Sequence, residues 1–209
     1  MESSESLLTA IVPVSQMSQK MGNLRSWLIN SERYPLSVII VHDMKDDLTG
    51  GELRLLIEEV GNPKLCFLEG KFDGPGGARN HGLEFANTTW VTFWDSDDVP
   101  RLSEIFSIIR SLDNQCTEVL IGSYSRVRNG EKSPVCLEEF GDRFIGIGYR
   151  PGIWRFIFRT ELVKNLKFPI LSMGEDQVFL LTTKFWTMNI QYSTRVIYDY
   201  YENNPESLT

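Results

Sequence analysis

Three carboxylates within four residues directly after an apolar run have a spacing that suits metal chemistry. Asp95, Asp97 and Asp98 follow residues 90–94, which read Trp-Val-Thr-Phe-Trp. In an extended segment, side chains two residues apart fall on the same side, so Asp95 and Asp97 would face one point. Two carboxylates with open positions around them suit Mg²⁺ or Mn²⁺, which completes its shell with water and phosphate oxygens. The alternative is a solvated turn with helix-capping aspartates, among them Asp98.

A second acidic pair opens an otherwise apolar helical stretch. Glu175 and Asp176 follow Gly174 and precede a run that is rich in Val, Phe, Leu and Trp. Acids at this position stabilise the positive end of a helix dipole, and that is one interpretation. The other is a general base, in which a carboxylate held over a pocket takes a proton from an attacking hydroxyl.

Two further features indicate a binding site for a phosphate-bearing ligand. The glycine-rich residues 74–77 run into a helical pattern, where unpaired N–H groups and the helix dipole favour an anion. Arg79 lies one helical turn further on and could bind a diphosphate through two hydrogen bonds. Asp43 ends an apolar run and could accept a hydrogen bond from a base or a ribose hydroxyl. A tight structural turn and an exposed turn acid are the respective alternatives.

A basic and aromatic segment follows in the second half of the chain. Residues 143–169 carry six basic side chains against one acid, in a protein whose net charge is −7. Trp154 is one of several aromatic residues there. We expect this segment to face an anionic or sugar-bearing substrate, although about half of its aromatic side chains would belong to the core.

Strand and helix patterns alternate along the chain. Continuous apolar runs are typical of buried parallel strands, and apolar residues at helical spacing separate them. Such an alternation predicts an α/β fold with an open, mostly parallel sheet of Rossmann-like type flanked by helices. The predicted strands cover residues 7–14, 36–41, 64–68, 90–94, 118–124 and 190–200, and the predicted helices cover residues 17–29, 53–60, 78–86, 101–112, 161–166 and 174–188.

Composition excludes several classes of function. A charge of −7 argues against nucleic acid as a partner, because binding to a phosphate backbone rests on clustered Lys and Arg. The first residues are polar and acidic, unlike a signal peptide, and no apolar run approaches the ~18 residues of a membrane span. The three cysteines are widely spaced and indicate neither a disulfide framework nor a zinc site. We therefore expect a cytoplasmic protein without a transmembrane segment.

Taken together, these motifs resemble the inverting glycosyltransferases of family 2, which have the GT-A fold. The similarity spans about residues 7–200. An arginine-asparagine helix, an Asp-x-Asp ~15 residues later and a downstream Glu-Asp are specific as a set, although each alone is weak. The stretches that carry the resemblance are residues 10–14 (AIVPV), 41–43 (VHD), 77–83 (GARNHGL), 95–98 (DSDD) and 174–179 (GEDQVF).

The resemblance implies a role for each candidate residue. Asp43 would contact the nucleotide base, Arg79 the nucleotide and Asp95 the ribose or the metal. Asp97 would bind the metal, Mn²⁺ or Mg²⁺, and Asp176 would be the catalytic base. Glu175 and Trp154 are the further candidates for substrate binding.

The same resemblance implies a single GT-A domain over residues 1–209 and a reaction. About residues 7–125 would form the nucleotide-binding half, and about residues 126–209 the acceptor-binding half. The expected reaction moves a sugar, first of all from a UDP-sugar, to a hydroxyl of a glycan, lipid-linked or protein-linked acceptor by metal-assisted single displacement with inversion. Peripheral contact with a membrane is left open. The alternative is a non-catalytic sugar-nucleotide-binding or regulatory protein of the same fold.

Overall fold

A nine-stranded sheet forms the centre of the structure, a computed structural model that describes residues 5–112, 116–136, 152–171 and 173–202. Eight strands follow one another in the order β3-β2-β1-β4-β8-β6-β9-β5, and β7 pairs with β6. The strands are β1 (Leu8–Val14), β2 (Leu36–Asp43), β3 (Leu65–Gly70), β4 (Trp90–Phe93), β5 (Val99–Pro100), β6 (Val119–Arg128), β7 (Glu131–Val135), β8 (Phe156–Arg159) and β9 (Ile190–Tyr201).

Helices cover both faces of the sheet because the central strands are apolar on both sides. In β1, Leu8, Ala10 and Val12 pack into one buried cluster with residues of α1, α2 and α4, whereas Ile11 packs into another with residues of α3 and α6. No described helix is long and apolar enough to cross a membrane. The helices are α1 (Gly22–Ser31), α2 (Asp47–Val60), α3 (Pro75–Glu84), α4 (Leu102–Ser111), α5 (Thr160–Val163) and α6 (Glu175–Thr183), with short 3₁₀ segments at Ile153–Arg155 and Phe185–Thr187.

The four strands β3, β2, β1 and β4 are parallel, so their carboxyl ends share one edge of the sheet. Val14 of β1 lies beside His42 of β2, and Ile11 lies beside Phe93 of β4. The residues that follow these strands therefore emerge close together. Ligands bind at this edge in open α/β sheets.

Beyond β4 the sheet becomes mixed. β8 is antiparallel to both β4 and β6, β9 is parallel to β6, and β5 is antiparallel to β9. Because β5 directly follows the Asp95–Asp98 segment, β9 returns to the same edge. The structure confirms the predicted α/β fold class. Its division into a nucleotide-binding half and an acceptor-binding half stays a prediction, and one sheet runs through both.

Every predicted strand and helix is present, but several bounds differ. The first helix begins at Gly22 rather than at residue 17, because the backbone N–H groups of Met17 and Gln19 donate instead to side chains of α2. That helix in turn begins at Asp47, six residues before the prediction, since the carboxylate of Asp46 accepts from the N–H of Thr49 and caps it. The last predicted helix ends at Thr183, five residues before the predicted end at residue 188.

Candidate active site

A cleft of about 360 Å³ opens at the carboxyl edge of the parallel strands. Six of the seven predicted site residues line it, and they come from four separate parts of the chain. One comes from β2 and one from α3, two come from the loop after β4, and two come from the start of α6. The six are Asp43, Arg79, Asp95, Asp97, Glu175 and Asp176.

Arg79 joins the acids on the two sides of this cleft. Its Nη1 donates to Oδ1 of Asp176 at 2.8 Å and to Oε1 of Glu175 at 2.9 Å, and its Nη2 donates to Oδ1 of Asp95 at 2.7 Å. The side chain is only 3% exposed. Burial works to lower the pKa of Arg79, but Asp176, Asp95 and Glu175 together raise it above its usual range. The guanidinium is therefore a fixed positive charge between three carboxylates.

The neighbours of Arg79 in α3 explain how this helix is held against the residues at and before the start of α6. The side-chain amide of Asn80 accepts from the N–H of Phe168 at 2.7 Å and donates to the carbonyl of the same residue at 2.9 Å. Gly76 leaves so little room that an added Cβ would lie 2.9 Å from the carbonyl oxygen of Pro169. Gly76 and Asn80 thus bring α3 against Phe168, Pro169 and the first residue of α6.

Asp176 is placed to exchange a proton near neutral pH. The N–H of Ile153 donates to its carboxylate in addition to Arg79. Burial raises the pKa of Asp176 from 3.8 to about 6, although Arg79 lowers it. A carboxylate that ionises near pH 6 in a cleft has the properties of a general base.

The Asp95–Asp98 segment is a turn, and this corrects the extended conformation expected from the sequence. The N–H of Asp98 donates to the carbonyl of Asp95 at 3.4 Å, and the N–H of Asp95 donates to the hydroxyl of Tyr198 at 3.0 Å. Asp98 is 1% exposed and accepts from the N–H of Tyr201 at 2.7 Å. It does not cap α4, whose first residues have no side-chain cap. The alternative in which Asp98 caps a helix is therefore wrong, because its carboxylate joins the turn to β9.

Asp97 and Asp95 fit a divalent cation. Burial, and then the neighbouring Asp95, raise the pKa of Asp97 from 3.8 to about 6, and no cation of the described residues offsets this rise. A carboxylate that lacks a positive partner is one that a metal ion would stabilise. The described residues contain no cluster of three or more metal-ligating side chains. Two carboxylates are the set that Mg²⁺ or Mn²⁺ uses when water and substrate phosphates supply its other ligands.

Asp43 lies at the far end of the cleft, at the end of β2. It is 4% exposed, accepts from the N–H of Phe72 at 3.1 Å and pairs with Nζ of Lys45 at 2.9 Å. Lys45 also lines the cleft. The position is compatible with the predicted contact to a nucleotide base, which stays a prediction.

Trp154, the seventh predicted site residue, lies in the core. It is 7% exposed, stacks on Tyr198 with ring centroids 4.7 Å apart and stacks on Tyr200 at 5.4 Å. Tyr200 itself lines the cleft, so Trp154 supports its wall from behind. This corrects the expectation of direct contact, because a side chain covered by Tyr198 and Tyr200 does not present its face to a substrate.

In the described part of the basic segment around Trp154, basic side chains bind other parts of the protein. Arg155 and Arg159 donate to backbone carbonyls, Lys164 donates to that of Ala86, and Lys167 pairs with Glu84. Basic residues 143 and 150 and aromatic residues 144 and 149 lie outside the described residues. The described part therefore offers no broad cationic surface for a substrate.

Several further residues line the cleft. The loop after β1 contributes residues 15–17, and the end of β9 contributes Tyr200 and Tyr201. Thr49 of α2 shapes that loop, because its hydroxyl accepts from the N–H groups of both Met17 and Ser18. The position of this loop in the cleft could have been predicted, because the loop directly follows the carboxyl end of β1. Nothing local marks the two tyrosines, whose position depends on the pairing of β9 with β5 and β6.

Solved structures share this architecture. The S. aureus protein TarS in complex with UDP-GlcNAc superposes with a TM-score of 0.79 at 23% identity, over 97% of this chain and 60% of that one. A mannosyltransferase from Pyrobaculum calidifontis in complex with GDP-Man and Mn²⁺ superposes with a TM-score of 0.67 at 16% identity, over 98% of this chain and 59% of that one. At these identities the likeness establishes the fold.

Curated relatives include two proteins of Streptococcus pneumoniae serotype 4. Glycosyltransferase GlyA is 22% identical over an alignment of 206 residues, which covers 87% of this chain and 29% of GlyA. Glycosyltransferase GlyG is 20% identical over an alignment of 169 residues, which covers 77% of this chain and 56% of GlyG. The chain thus spans less than two thirds of either relative. The family model described as Glycosyl transferase family 2 matches residues 10–176, and the chain therefore belongs to that family.

Proposed function

We propose that this chain transfers a sugar from a nucleotide-diphosphate sugar to a hydroxyl acceptor, with Asp176 as the catalytic base. The observation that carries the proposal is the meeting of Asp176, Asp95 and Asp97 in one cleft at the carboxyl edge of the sheet. Asp176, whose pKa is raised to about 6, lies at the start of α6, and the other two acids come from the loop after β4. Membership of the family supports the reaction class.

The chemistry follows from these positions. The carboxylate of Asp176 takes the proton of the acceptor hydroxyl, and the oxygen attacks the anomeric carbon of the donor sugar. As the new C–O bond forms, the bond from that carbon to the diphosphate oxygen breaks, and the nucleoside diphosphate leaves. A single displacement inverts the configuration at the anomeric carbon.

Asp97 and Asp95 would hold the divalent cation, Mn²⁺ or Mg²⁺. When bound, such an ion offsets the negative charge that develops on the leaving diphosphate. The mannosyltransferase from Pyrobaculum calidifontis has both GDP-Man and Mn²⁺, which supports a cation here. The turn that carries both aspartates is anchored to β9 by Tyr198 and Tyr201.

A UDP-sugar is the first donor to test, since TarS has been solved with UDP-GlcNAc and with UDP. Asp43, which pairs with Lys45 and lines the cleft at the end of β2, is the proposed contact for the base. A glycan, a lipid-linked and a protein-linked acceptor all remain candidates. Location in the cytoplasm stays a prediction from the sequence.

Nucleotide release tests the proposal. The protein is incubated with UDP-, GDP- and dTDP-sugars, with Mn²⁺ or Mg²⁺ and a panel of acceptors. We expect Asp176→Asn to lower kcat by about 10²–10⁴-fold, the range typical of a lost general base. Asp47→Asn, a change of the same type at an exposed residue of α2, is the matched control and should keep full activity.

Two results would contradict the proposal. Asp176→Asn and Asp97→Asn variants with undiminished turnover would show that the roles are misassigned. Tight binding of UDP in calorimetry without turnover on any acceptor would instead support the alternative of a non-catalytic sugar-nucleotide-binding protein.

A further inference from the structure

The hydrogen bonds of Arg79 leave little of this side chain for a substrate. Nη1 is shared by Glu175 and Asp176, and Nη2 is bonded to Asp95. Nε is buried and has no hydrogen-bond partner among the described residues. A diphosphate would reach Nη1 only by displacing Glu175 or Asp176, and the one remaining N–H of Nη2 lies beside the negatively charged Asp95.

The two terminal nitrogens also point to opposite walls of the cleft. Nη1 faces α6, which carries the proposed base, and Nη2 faces the loop after β4, which carries the proposed metal ligands. A planar guanidinium has its donors in a fixed fork, so it sets the spacing of the groups that it binds. Without that positive charge, Asp95 and Asp176 would repel each other.

The position of Arg79 is itself fixed from outside the cleft. Its guanidinium lies over the ring of Phe168, 5.5 Å from the centroid. That ring stacks on Phe179 of α6 at 3.8 Å, and the backbone of Phe168 is held by Asn80. The side chain is therefore supported by the core and does not depend on bound donor for its orientation.

We infer that Arg79 is a positioning residue, which holds the base Asp176 and the donor-side Asp95 at a set separation, and that it is not a ligand of the donor diphosphate. This inference rests on the proposed function and replaces the direct contact with the nucleotide that the sequence suggested. Alignment of the acceptor oxygen with the anomeric carbon depends on that separation, and small misplacements of reacting groups have large effects on rate.

Arg79→Lys is the main test, because it keeps the positive charge in the buried site while it loses the fork. A single ammonium does not span the acids on both walls. We expect kcat at saturating donor and acceptor to fall by at least about tenfold, while the Kd for UDP, measured by calorimetry without divalent metal so that the proposed metal ligand Asp95 has no part in it, stays within about threefold of wild type. Arg25→Lys is the matched control, since Arg25 forms an exposed ion pair with Glu59, and it should change neither quantity.

The affinity for UDP distinguishes a positioning role of Arg79 from direct binding of the donor by Arg79. A Kd for UDP that rises about tenfold or more would overturn the inference, as would a wild-type kcat in Arg79→Lys. Should the wild-type protein show no turnover at all, the proposed function fails and a crystal structure of Arg79→Lys decides the inference alone. Asp95 and Asp176 carboxylates in their wild-type positions would then overturn it, and a displaced Asp176 would support it.

Discussion

Replacement of Gly76 by alanine would test how closely α3 must approach the residues at and before the start of α6. The added Cβ would lie 2.9 Å from the carbonyl oxygen of Pro169, 3.1 Å from Cβ of Phe168 and 3.4 Å from Cγ of Glu175. A backbone carbonyl does not rotate away as the end of a long side chain does, so Phe168, Pro169 and Glu175 must shift. Overpacking of this kind costs about 1–3 kcal/mol, and the better helix propensity of alanine offsets up to about 1 kcal/mol.

The expected net loss of about 1–2 kcal/mol corresponds to a Tm lower by roughly 2–8 °C for a protein of this size. Activity should fall by more than the loss of folded protein explains, because the shift also moves Glu175 and Asp176. Gly51→Ala in α2 is the control, since no atom lies within 4 Å of its added Cβ. That variant should gain about 0.5–1 kcal/mol and keep its activity. Thermal unfolding and nucleotide release measure both, and a Gly76→Ala protein as stable and active as wild type would refute the reasoning.

Three further predictions concern the same cleft. Because the base must be ionised, kcat/KM should fall as pH drops through about 6, the pKa of Asp176 in the free protein, by close to tenfold per pH unit below it. A flat profile of kcat/KM from pH 5 to 8 would exclude this assignment. At Mn²⁺ concentrations about 100 times its Kd, wild type should gain about 2.7 kcal/mol in stability, whereas Asp97→Asn should gain much less in the same thermal-shift assay. Asn80→Asp keeps the acceptor for the N–H of Phe168 but sets a carboxylate oxygen against the carbonyl of that residue. Urea unfolding should therefore show a free energy of unfolding that is lower by about 1–3 kcal/mol. An unchanged midpoint would contradict the importance of the two hydrogen bonds between Asn80 and Phe168.

The alternation of elements was predictable, since it depends on local apolar patterning. The bounds of the helices were less predictable where side chains from another element intervene. An example is the loop after β1, whose N–H groups donate to Thr49 and Glu52. The spacing of Asp95 and Asp97 indicated a shared site, but not that Asp98 would turn inward to bind the backbone of Tyr201.

Arg79 shows why roles are harder to predict than places. Its position in a motif placed it in the cleft, yet its partners Glu175 and Asp176 are 96 and 97 residues away, and no local pattern encodes that contact. Trp154 shows a related limit. An aromatic residue in a basic segment looks the same in sequence whether it faces a substrate or, as here, stacks beneath Tyr200.

The bonds from β9 to the Asp95–Asp98 turn have a consequence for the order in which the site is assembled. Tyr198 and Tyr201 each bind a residue 103 positions earlier in the chain. During synthesis on the ribosome, β1 to β4 emerge long before these tyrosines, so the parallel strands could pair while the aspartate turn still lacks its anchors. Contacts between distant residues also form late and slowly in folding. The proposed metal site would therefore be among the last parts of the protein to take shape, after the four parallel strands have paired.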